Sequence, residues 1–250
     1  FILCLFRGAV AKKIKIAAGV FLAVFLAAGA IVDFGTGWLA LAASAMVLAV
    51  REIIGVNPRE ISGPAGEKRQ NKMLLPLAVI ILSALLWLVR APQIKDLVFP
   101  AEIKPSYGAS LDILVSALKE KPAFGSGLET YPYVYALFKN AALNQTNYWG
   151  VNFNNAAAEV VTWATTFGAF GSLAWLAFVV LVLRMGVKGS KGRNGIRDGL
   201  LASWIFILIT KFFYATSLPL EFMFWFLPAL LVLCDTNIRM HANDTNEDNR

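Results

Sequence analysis

The residues of this chain with the chemistry to act on a substrate are two carboxylates, a few cations and a crowd of aromatic rings. Glu159 stands where a long polar stretch turns back into an apolar one. An acid so close to a hydrophobic segment is expensive unless it is used or paired, which makes Glu159 the first candidate for a general base. Its expected place at a helix N-terminus would also suit a carboxylate electrostatically, so a purely structural role stays open. Glu129, just after Gly125-Ser126-Gly127, is the second candidate. Arg90, Lys104 and Lys139 could hold an anionic group, against the ordinary alternative of solvated loop charges. Tyr131 and Trp149 lead a run with Tyr133, Tyr135, Phe138, Tyr148 and Phe153. Rings with polar tips suit a membrane interface, and they also stack on the C–H faces of sugars. Asn154 adds a polar contact to the same stretch, and Asn144-Gln145-Thr146 matches a glycosylation acceptor, a pattern common by chance. Lys211 and Glu221 flank the turn at Ser217-Leu218-Pro219 and could pair, either as a stabilising ion pair or as a relay.

Other chemistries lack their residues. Gly125-Ser126-Gly127 has neither the lysine-serine/threonine ending nor the preceding strand of a phosphate loop, and reads as a tight turn. His241 is the only histidine and lies in a polar tail, which excludes a histidine-based metal centre. Cys4 and Cys234 are far apart in apolar surroundings and suggest no disulfide framework. No metal and no cofactor are expected.

The elements that must position these groups are helices in a membrane. Hydrophobic residues form 58% of the chain and charged residues 16%, against roughly 45–50% and about 25% in soluble domains. Mean hydropathy is +0.61. The excess lies in blocks, the pattern of bilayer spans. The expected fold is an all-α integral membrane protein, a multi-spanning helical bundle with one long extracytoplasmic loop containing short helices.

The first ninety residues hold membrane helices. A stub at Phe1–Phe6 reads as the end of an earlier helix, so the chain is expected to be a C-terminal portion of a longer protein. Ala17–Val32, Trp38–Val50 and Met73–Val89 follow, with a polar loop at 51–72 whose Pro58, Gly63, Pro64 and Gly66 should break any helix. Residues 91–155 form the long loop, in which Ile103 to Lys121 should contain a helix capped by Ser110 and stopped by Pro122. Residues 156–235 return to the membrane through Phe167–Leu183, Leu200–Ser217 and Leu218–Cys234. Gly168 and Gly171 should permit close helix packing. The polar tail 236–250 has the composition of a disordered segment.

The net charge of +7 does not point to nucleic acid, because the basic residues lie beside hydrophobic blocks. Patches at 7–15, 51–72 and 184–197 fall on one side if the spans alternate, which puts loop 91–155 outside and the tail in the cytoplasm.

One set of motifs resembles a known family. Pro122-x-Phe124-Gly125-x-Gly127-x-x-Thr130, then Tyr135-Ala136-Leu137-Phe138-Lys139, Asn152-Phe153 and Ala164-Thr165-Thr166-Phe167-Gly168-Ala169-Phe170-Gly171 resemble the O-antigen ligase and polysaccharide polymerase family over about residues 100–185. The resemblance implies a fold of the C-type glycosyltransferases in the bacterial inner membrane. It implies transfer of glycans from an undecaprenyl-diphosphate carrier to a glycan or lipid acceptor, without metal or nucleotide sugar. Where that family usually carries an arginine near the start of the loop helix, this chain has Ser106-Tyr107-Gly108-Ala109-Ser110. Where it carries a His-Asn pair, this chain has Ala157 and Ala158. A non-catalytic relative that binds glycans or serves as a scaffold is therefore the alternative reading. A transporter is a third, disfavoured by the lack of paired broken helices in two halves.

Overall fold

The structure is a computed structural model that describes residues 12–32, 35–54, 64–88, 103–141, 145, 149–188, 195–215 and 217–247. The stub Phe1–Phe6, Cys4, Arg90 and the acceptor residue Asn144 lie outside these. Among the described residues the chain is all-α, with no strand. The helices are α1 (Lys12–Val32), α2 (Gly35–Ile54), α3 (Pro64–Leu88), α4 (Tyr107–Glu120), α5 (Tyr131–Phe138), α6 (Glu159–Lys188), α7 (Gly195–Phe213) and α8 (Leu218–Glu247). Among the described residues one helical stretch, Glu159–Gly186, is by itself long and apolar enough to cross a membrane. Thr36–Arg51, Pro76–Leu88 and Leu218–Cys234 are shorter apolar stretches.

Three expectations about helix limits change. Pro64 does not prevent a helix but starts one, because a first-turn proline gives up an N–H that would have no intrahelical partner anyway. The tail expected to be disordered continues α8 to Glu247, since extending an existing helix is far easier than nucleating one. The N-cap of α4 is Ser106, whose hydroxyl accepts from the Ala109 N–H at 3.1 Å. Ser110 lies one turn further in and is buried.

The chain forms two compact units. The first comprises Phe1–Phe99, Arg184–Leu208 and Phe222–Arg250. In it α2 packs along α3, and Leu48 and Ala202 form a buried centre flanked by Leu22 and Val79. Pro228 inside α8 has no N–H to offer the Phe224 carbonyl one turn earlier. The Trp204 indole N–H takes that place at 3.0 Å, and the Trp204 and Phe224 rings stack at 5.5 Å. Arg51 donates to the Gly186 carbonyl at 2.6 Å and pairs with Asp198 at 2.8 Å. The guanidinium of Arg197 reaches the Met185 carbonyl. Two arginines thus satisfy carbonyls that the end of α6 leaves without helical partners.

The second unit comprises Pro100–Leu183 and Ile209–Glu221. Its core is Ile113 and Ala117 of α4, Tyr131, Val134 and Tyr135 of α5, and Ala156, with Phe138, Phe153 and Val161 packed around them. Tyr135 and Phe153 meet edge to face at 5.1 Å, an arrangement favoured by the ring quadrupoles.

Helix α6 is broken inside its apolar run. Gly168 has φ 64° and ψ −159°, a conformation essentially confined to glycine. The expectation that Gly168 serves helix–helix packing is therefore corrected: it interrupts the helix, and a loop fills the gap. The Ser126 N–H bonds the Thr165 carbonyl (3.1 Å) and the Gly127 N–H bonds the Thr166 carbonyl (2.8 Å). In return the Ala169 N–H bonds the Pro122 carbonyl (3.0 Å) and the Phe170 N–H bonds the Ala123 carbonyl (3.1 Å). Counted from Gly125 and Gly168 the pattern is the same in both directions: one residue ahead to three behind, two ahead to two behind. Two Phe-Gly turns thus clasp each other about a local two-fold axis. Gly125 also has positive φ, 66°, and a Cβ on Gly168 would lie 2.3 Å from the Gly125 nitrogen.

Candidate functional site

The second unit gathers several of the candidate groups around the end of α7. Tyr214 follows α7, and its N–H still bonds the Thr210 carbonyl at 2.9 Å. Its own carbonyl accepts the Glu159 N–H at 3.2 Å, which fixes the start of α6 against the end of α7. The Lys104 ammonium lies 5.2 Å from the Tyr214 ring centroid, within cation–π range. The Tyr107 hydroxyl donates to the neighbouring Phe213 carbonyl, and burial raises its pKa. Glu159 accepts the Trp163 indole N–H at 3.0 Å, one turn along its own helix. Sequence reasoning missed Tyr107, Trp163 and Tyr214. Trp163 was detectable as a partner spaced four residues from Glu159, but the other two become relevant only when distant segments meet.

Lys211, on the last turn of α7, is 1% exposed and pairs with Glu221 at the start of α8. The pair expected from the sequence is formed. It satisfies a buried ammonium and closes the turn at Ser217.

The remaining candidates lie elsewhere in this unit. Lys139 follows α5 and donates to the Trp149 carbonyl at 2.8 Å. The Trp149 ring is exposed, as are Asn154 and Glu129. Glu129 has φ 55°, an unusual conformation for a side-chain-bearing residue and a mark of the tight path out of the glycine turn. Tyr131 is buried in the core rather than presented to a ligand. Its hydroxyl faces Ser110 but completes no hydrogen bond of proper geometry, and burial pushes its pKa up to about 12.

The start of α4 and the residues just before α6 come together here. The Ser110 hydroxyl donates to the Ser106 carbonyl at 2.9 Å and accepts the Ala157 N–H at 3.0 Å. Ser110, Ala156, Ala157 and Ala158 are all buried. Small residues close this junction by packing and by the bonds of the Ser110 hydroxyl to two backbone groups, with the Tyr131 phenol facing Ser110.

Chemically, the Tyr214 cluster offers an exposed ammonium, a half-buried carboxylate oriented by an indole, and a phenol, beside an apolar helix. It is suited to an anionic or hydroxyl-bearing ligand. No protein-family model, curated protein or solved structure matches the chain.

Proposed function

We propose that this chain is a multi-spanning protein of the bacterial inner membrane that acts on lipid-linked glycans at the outer face, in cell-surface polysaccharide assembly. The observation that carries the reading is the convergence of Lys104, Tyr107 and Glu159 on Phe213 and Tyr214. The motif resemblance over residues 100–185 supplies the substrate class. In this reading Lys104 steadies the diphosphate of the carrier, and Glu159 takes the proton of the acceptor hydroxyl. The acceptor oxygen bonds the anomeric carbon, the carbon–oxygen bond to the diphosphate breaks, and its electron pair leaves with the lipid diphosphate.

A second reading, a non-catalytic glycan-binding or scaffold relative, is favoured by the closed Ser110–Ala157 junction. Glycan transfer by the full-length protein in membranes, from an undecaprenyl-diphosphate oligosaccharide, separates the two. The enzyme reading expects Glu159→Gln to lower transfer on the order of 100-fold or more, and Lys104→Ala to weaken donor use. No transfer by the folded wild-type protein across several donors sinks the enzyme reading and leaves the binding one.

A further inference from the structure

The surface of α6 changes character at Gly168. Before it, Thr162, Thr165 and Thr166 are buried and Val161 packs on the core of the second unit. After it, the exposed surface is apolar: Phe170, Leu173, Leu176, Val180 and Leu181. No charge occurs from Val160 to Leu183. The run Phe167–Leu183 measures about 25 Å at helical rise, close to a bilayer's hydrocarbon thickness. The helix break thus separates a segment that packs against protein from one that faces outward with apolar side chains.

The loop that clasps this break carries the same character. Pro122 to Leu128 contains no charge, while Lys121 and Glu129 bound it on either side and are exposed. Phe124 is 76% and Leu128 71% exposed, and the Phe124 ring meets that of Phe170 at 5.4 Å. The loop surface is therefore continuous with the outward face of the apolar helix. Non-helical backbone is costly in lipid unless its polar groups are satisfied. Here the reciprocal bonds between 122–127 and 165–170 satisfy groups on both segments.

We infer that the Pro122–Leu128 loop is an interfacial wedge that seats Phe124 and Leu128 at the headgroup–acyl boundary of the bilayer, with Gly168 marking that boundary on α6. Lys121 and Glu129 lie at the headgroups and limit how deep the loop goes. The partner is the lipid surface itself. The assignment rests on the membrane reading above, and deepens it by fixing where the second unit meets lipid.

Spin labels on single cysteines, in the full chain with Cys4 and Cys234 replaced by alanine and reconstituted in phosphatidylglycerol/phosphatidylethanolamine vesicles, test it by collision with oxygen and with a water-soluble nickel chelate. Phe124→Cys and Leu128→Cys are the probes, Leu173→Cys reports the apolar helix, and Asp112→Cys, exposed on α4, is the aqueous reference. The expected result is oxygen collision several-fold above nickel collision at 124, 128 and 173, reversed at 112. A label at 124 or 128 that behaves like 112 while 173 reads as lipid overturns the wedge and leaves the membrane reading standing. Nickel-dominated collision at 173 overturns both.

Discussion

Ser110 serves two backbones at once, and the consequence reaches the neighbouring phenol. Its hydroxyl gives its proton to the Ser106 carbonyl and accepts from Ala157, so it has no proton left to give Tyr131. The Tyr131 hydroxyl is held in a dry environment that opposes its ionisation. A phenol with a folded-state pKa above its unfolded value near 10 stabilises the fold fully below that pH. The contribution is lost as pH rises from about 10 through about 12, and amounts to roughly 2–3 kcal/mol. Tyr107 and Tyr135, also raised by burial, act in the same direction. Thermal unfolding followed from pH 8 to 12 should show stability falling on the alkaline side. Tyr131→Phe should reduce that slope while leaving the melting temperature at pH 7 unchanged or higher. An unchanged slope would show that the phenol ionises freely in the folded chain.

The buried ion pair makes a second residue-scale prediction. With Lys211 inaccessible and Glu221 its partner, removing the acid strands a charge, whereas removing both need not. Glu221→Ala should destabilise by about 3–5 kcal/mol, and Lys211→Met with Glu221→Leu by far less. Melting temperatures of the single and double variants in detergent give the comparison, and equal losses would mean the pair acts only through packing.

Among the elements, α6 shows best what was legible and what was not. The sequence marked an apolar run, a start near its acidic residue and, among its motifs, the pairs Phe124-Gly125 and Phe167-Gly168. It did not reveal that the pairs clasp each other, because hydrogen bonds between residues 122–127 and 165–170 have no local signature. The N-cap of α4 is a different case: Ser106 and Ser110 both suit the role by type, and Ser106 takes it by accepting the Ala109 N–H, while Ser110 is buried against Ala157. The clasp gives a sharp expectation. A methyl group at Gly168 meets the Gly125 nitrogen at 2.3 Å and the Ala123 carbonyl oxygen at 2.8 Å, in a conformation an alanine seldom adopts. Gly168→Ala should cost more than about 2 kcal/mol from backbone strain alone, with the collision added. Gly108→Ala, in α4 with open space around it, should be neutral or stabilising by about 1 kcal/mol. Unfolding of both variants in one detergent tests this, and equal stability would mean that the clasp is not formed.

For the whole molecule, the hydrophobic blocks carried the all-α class, since long apolar runs are a property of composition along the chain. Which residues form a site was far less legible: Lys104, Glu159 and Tyr214 belong to three separate segments, and pairing alone brings them together. The first unit bears on topology in a way composition could not. Arg51 binds the Gly186 carbonyl and Asp198, so the end of α2, the end of α6 and the start of α7 meet at one place. Helix ends that touch lie on the same side of any membrane the helices cross; the basic residues around Arg51 and Arg197 make the cytoplasm the side we propose for them, with α4 proposed outside. An impermeant maleimide should then label Asp112→Cys in cells whose outer membrane alone has been opened. It should label Ile196→Cys, exposed beside Arg197, only after the inner membrane is breached. Labelling of both cysteines before that breach would place the ends of α2 and α6 on the same side as α4 and reject the proposed orientation.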